Sequence, residues 1–152
     1  MTLRLPYWVC LGAVLVLSAP SIASPVDEAK AMVTDAQRLF SKAADAQGEE
    51  RTKVLVRSAT KYARAYALIM ARNLKNDAPK LFQQIGKRIG ELTRRPEIVA
   101  ERKKTRAQAV VAATEGRLTD AYDLFARLRD LDPRDQTIEY ILGVVGQRME
   151  NR

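Results

Sequence analysis

Histidine is absent from this chain and cysteine occurs once, at Cys10. The commonest general base and soft metal ligand are therefore missing, and at most one thiol nucleophile is available. Carboxylates remain, but most stand beside basic residues in helical stretches, as solvated faces do. Glu49-Glu50 follows Gly48, where negative charge suits the start of a helix better than it suits an acid–base pair. Ser41-Lys42 and Ser58 with Lys61 are the remaining nucleophile–base combinations by residue type, and neither has supporting context. No G-x-S-x-G and no phosphate-cradling glycine loop occurs. The residues predict a protein that is not an enzyme, with no catalytic, cofactor-binding or metal site and no cofactor.

Charge is the stronger signal. The chain has 26 Lys and Arg against 18 Asp and Glu, a net +8. Lys87-Arg88, Arg94-Arg95 and Arg102-Lys103-Lys104 with Arg106 gather in its middle. Such a surface could meet anionic lipid, another polyanion or an acidic protein, or it could be an ordinary solvated face. Nucleic acid is not expected, because no aromatic–basic motif accompanies the charge and the N-terminus reads as an export signal.

That signal is residues 1–23. Arg4 lies in a short positive lead, and Tyr7 to Ala19 is an apolar run too short to span a bilayer comfortably. Ser21 and Ala23 place small residues at the −3 and −1 positions, so cleavage is expected after Ala23. An uncleaved N-terminal membrane anchor is the alternative. Lipidation at Cys10 fits poorly, since Val9 stands where a small residue is wanted. Cleavage would remove Cys10 and Trp8, and loss of Arg4 would take the charge from +8 to +7. An exported chain without disulfides must rely on its core. The short signal fits a bacterial periplasm best, with secretion as the other route.

Residues 24–152 read as one all-α domain of about six helices in antiparallel hairpins, because apolar residues recur at three and four and no stretch alternates as strands do. The first helix, about 26–47, carries Ala29, Met32, Val33, Ala36, Leu39 and Phe40. The second, about 48–74, carries Leu55, Ala59, Tyr62, Tyr66 and Ile69. Asp77 is the expected N-cap of a third, which carries Leu81, Phe82, Ile85, Ile89 and Leu92. Pro96 opens a fourth and Asp132-Pro133 ends a fifth. The sixth, about 136–150, carries Ile138, Ile141, Leu142, Val145 and Met149.

The stretch 102–135 is the most specific. Ala107, Val110, Val111 and Thr114 form an apolar face on one helix, and Glu115-Gly116 supplies a tight turn. Leu118, Ala121, Leu124, Phe125, Leu128 and Leu131 then line a second helix. Gly116 at the turn, Ala121, Phe125 four residues later and Pro133 at the close make this unit resemble a tetratricopeptide repeat. With a period of roughly 34 residues the next unit begins near Gln136, and its Leu-Gly pair falls on Leu142-Gly143. The resemblance covers about one and a half units, over 102–150. Thr105, Gln108 and Ala109 depart from the family's aromatic and Leu-Gly pair, and Leu128 from its usual alanine. A generic helical bundle could reach the same spacing by packing alone.

The resemblance implies a TPR-like α-solenoid that acts as a protein-interaction scaffold, its groove lined by the first helix of each hairpin. Lys103, Arg106 and Val110 stand at groove-facing places, with Tyr140 in the next unit. Solvated charge for Lys103 and Arg106, and core packing for Val110 and Tyr140, are the plainer roles. The expected function is an exported adaptor with a protein partner in the cell envelope. The alternative is a basic structural component held at an anionic envelope surface or in a larger assembly, without a peptide groove. The segment T-D-A-Q-R-L-F at 34–40 is echoed by T-D-A-Y-D-L-F at 119–125, which reads as one packing solution used twice.

Overall fold

Pro25, Pro79 and Pro96 each stand at the first turn of a helix, where a missing backbone N–H costs nothing. The computed structural model describes residues 24–151, so the expected signal peptide at 1–23 lies outside the described residues. Within them the protein is all-α: α1 Pro25–Asp45, α2 Gly48–Ala71, α3 Pro79–Leu92, α4 Pro96–Thr114, α5 Leu118–Leu131 and α6 Gln136–Glu150. None of these helices is long and apolar enough to cross a membrane.

Local chemistry explains most boundaries. The Ser24 hydroxyl accepts from the Asp27 amide and opens α1, one residue before the expected start. Two Schellman-type closures follow from residues that tolerate positive φ. Asn73 (φ 53) ends α2, with Leu74 N donating to Ile69 O at 2.9 Å. This stops α2 at Ala71 rather than near Leu74. Gly116 (φ 73) ends α4, with Arg117 N donating to Ala112 O at 2.9 Å. Asp77 does not cap α3: Pro79 takes the first helical position, so Ala78 is the cap residue and makes no side-chain bond. Asp135 caps α6 by accepting from the Thr137 amide at 3.1 Å.

The helices form two three-helix groups rather than three successive pairs. α1 and α3 both pack on α2, while α4 and α6 both pack on α5. α2 also packs on α4 and α5, so it is the element that joins the groups. One core is built from α1–α3 and takes in Ile98 and Leu131 from across the seam. The other is built from α4–α6 around Phe125.

Small residues set the close approaches. Ala29 and Ala36 of α1 are fully buried against α2. Ser58, also fully buried, donates to the Ala36 carbonyl at 2.8 Å, which ties α2 directly to the backbone of α1. Ala121, at the matching place of the echoed segment, is likewise fully buried.

On α4 the structure overturns the expected face. Ile98, Thr105, Ala109 and Ala112 are buried, while Ala107, Val110, Val111 and Thr114 are exposed. Two largely apolar stripes run along this helix, and periodicity cannot choose between them. Ala109 and Ala112 let α4 approach Ala121 and Phe125 more closely than two valines would, so packing selects the alanine stripe.

Candidate partner-binding surfaces

A groove of about 850 Å3 runs where α2 meets the end of α5 and the start of α6. Ala63, Tyr66, Ala67 and Met70 line it from α2. Met70 is 41% exposed and offers the groove a flexible, polarisable thioether. Tyr66 is held by stacking on Phe82 of α3, with ring centroids 5.6 Å apart. The opposite wall carries Arg129, Asp130 and Arg134, with Glu139 from α6 and Arg64 from α2 completing the rim. Burial pushes the Asp130 carboxyl up from its ordinary value, against the opposing pull of Arg129 and Arg64. Arg129 lies 3.9 Å from Glu139, a loose pair at the edge. Apolar surface flanked by three guanidiniums and two carboxylates suits a polypeptide segment with some negative charge.

The four residues expected to hold a partner are elsewhere. Lys103, Arg106 and Val110 share the exposed side of α4, and Tyr140 stands on α6, across α5 from them. Val110 is 51% exposed and Tyr140 is 73% exposed, so neither is a core residue. Arg106 is engaged: its Nη2 lies 3.3 Å from Asp135 Oδ2, tying α4 to the cap of α6. Lys103 makes no ion pair with any described residue.

Of the residues expected to shape a repeat, Ala121, Phe125 and Leu142 are buried, Pro133 is half-buried at the end of α5, and Gly116 makes the α4–α5 turn. Gly143 is exposed, and a Cβ there would meet nothing within 4 Å. No described helix approaches it.

The basic cluster is partly consumed within the fold. Arg88 and Arg95 sit over the Phe40 ring, 5.5 and 5.4 Å from its centroid, and Arg88 also pairs with Glu91 at 2.6 Å. Arg102 reaches Asp132 at 3.2 Å and Asp135 at 3.7 Å. Lys87, Arg94, Lys103 and Lys104 remain without an ion pair among the described residues. No group of three or more Asp, Glu, Cys or His among the described residues could hold a metal ion.

Sequence reasoning missed the groove because it lies between elements far apart in the chain. The spacing of α2 puts Tyr66 in its packed stripe, and in the structure it is half-buried and also lines the groove. No protein-family model, no curated protein and no solved structure matches this chain.

Proposed function

We propose that this protein is an exported, non-catalytic helical adaptor that holds a segment of a partner protein in the groove between α2 and the α5–α6 junction. The observation that carries this reading is the groove itself: an apolar floor including the exposed Met70, under a rim with an excess of guanidinium. The partner segment is then apolar with flanking acidic residues, and its apolar contacts would persist in salt while its charged contacts weaken. The hairpin of α4 and α5 with α6 behind it is the TPR-like part of the scaffold, with Gly116, Ala121, Phe125 and Pro133 in the family's places. The apolar segment at 1–23 supports delivery to the cell envelope, with a bacterial periplasm as the setting.

A second reading rests on a different observation. Lys87, Arg94, Lys103 and Lys104 stand unpaired, and they would suit a basic component attached to an anionic envelope surface. Recovery from the envelope, once after crosslinking in the cell and once without crosslinker under low- and high-salt washes, separates the two. A defined protein that is captured by crosslinking, survives the high-salt wash without crosslinker and is lost in Met70→Glu supports the adaptor. Recovery of anionic lipid alone, abolished by salt and indifferent to Met70→Glu, overturns it in favour of the basic surface.

A further inference from the structure

We propose that the outer face of α4 is a self-association surface, covered by the same face of a second copy running antiparallel across a two-fold axis. α4 carries two largely apolar stripes. At 3.6 residues per turn, Ile98, Thr105, Ala109 and Ala112 point roughly 180° away from Ala107, Val110, Val111 and Thr114. The first stripe is buried on α5 and the second faces outward, with Val110 and Val111 51% and 49% exposed. A helix apolar on opposite sides is one that expects burial on both. Beside the outer stripe, Ala107, Gln108 and Val111 of α4 and Leu124 of α5 line a depression of about 630 Å3, open to solvent.

Charge identifies what covers it. Lys103 and Lys104 stand at the amino end of the outer stripe, both exposed and without an ion pair among the described residues. Glu115, Asp120 and Asp123 stand at its carboxyl end, three carboxylates with the single guanidinium of Arg117 among them. One end is therefore net positive and the other net negative. An antiparallel copy sets the positive end of each α4 against the negative end of the other, which is the self-complementarity an isologous interface requires. With the axis near Ala109, Ala107 of one copy meets Val111 of the other, and Lys104, on the same flank of the helix as Glu115, comes beside Glu115 of the other. Ala107 has no bulk to hold the helices apart, and α5 flanks the contact with Leu124 and Asp123. Two α4–α5 hairpins then form a four-helix arrangement whose packing resembles that within each copy. A parallel copy would oppose like charges, and a neutral helix would leave both ends unanswered.

This surface shares no residue with the α2–α5 groove, so either can fail without the other. The test is sedimentation equilibrium of the purified chain, expressed from all 152 residues, over a range of concentrations. The expected result is a monomer–dimer equilibrium whose dissociation constant rises by about tenfold or more in Val111→Glu, with the helical circular dichroism unchanged. Lys103→Glu with Lys104→Glu should weaken the dimer similarly, as should Glu115→Lys with Asp123→Lys. All four together should restore it, because the charge pattern is inverted rather than lost. A monomer at every concentration overturns the proposal. So does a dimer that Val111→Glu leaves intact, or one that the fourfold reversal fails to restore.

Discussion

Replacing Tyr62 with phenylalanine should stabilise this protein. Tyr62 lies on α2 with 0% of its surface exposed, and its hydroxyl has no hydrogen-bond partner. Arg88 on α3 approaches it and spends Nη1 on Glu91 at 2.6 Å, and its guanidinium acts on the phenol from outside hydrogen-bond geometry. A buried hydroxyl without a partner carries a desolvation cost of about 1–3 kcal/mol, which Tyr62→Phe removes while leaving the ring packing in place. A gain near the lower end, about 1 kcal/mol, corresponds to a rise of about 3–5 °C in Tm for a domain of this size. Alkaline pH supplies a second readout. Burial pushes the Tyr62 phenol above its ordinary value of 10.0, outweighing the opposite effect of Arg88. A raised folded value means that its contribution is fully present below pH 10 and is lost as pH climbs through the folded value. The wild type should therefore lose stability above pH 10 faster than Tyr62→Phe. Urea titrations of both proteins at pH 7 and across pH 9–11 measure this. A loss of about 1 kcal/mol or more at pH 7 would refute the reasoning, because it would mean that the hydroxyl bonds Arg88 in solution.

Burial holds the Asp130 carboxyl above its ordinary 3.8, so the charge disfavours folding once it forms; Asp130→Asn should raise Tm at neutral pH, and the difference should vanish below pH 3.8. Gly116→Ala forces a side chain onto φ 73 at the α4–α5 turn and should cost about 1 kcal/mol in a denaturant titration. Phe125→Ala empties the centre of the second core and should cost about 3–5 kcal/mol, with hydrogen exchange quickening first in α4–α6 because α1–α3 keep their own core.

Helix number and most helix boundaries were legible because they depend on neighbours in sequence. Prolines at first turns, Gly116 at a left-handed position and three-four spacing act within one or two turns of chain. The end of α2 was misjudged because Asn73 can take positive φ without being glycine, and Asp77 was misjudged because Pro79 sits one residue too far for it to cap. The buried roles of Ala121 and Phe125 were legible from the four-residue step between them. The groove was not: Met70 and Asp130 are sixty residues apart and meet only because α2 packs on α5.

The sequence by itself determined that this chain is helical, where its helices turn, and that it has no histidine chemistry, since those are properties of residue type and short-range spacing. Tertiary structure alone decided which side of α4 is core. Both sides are apolar, and only the fit of Ala109 and Ala112 against Ala121 chooses between them. It also decided which cations are free. Arg102 and Arg106 looked like surface charge, yet Asp132 and Asp135 arrive beside them when α5 folds back along α4. Ion pairs of this kind depend on the distance between helices, which no local pattern encodes.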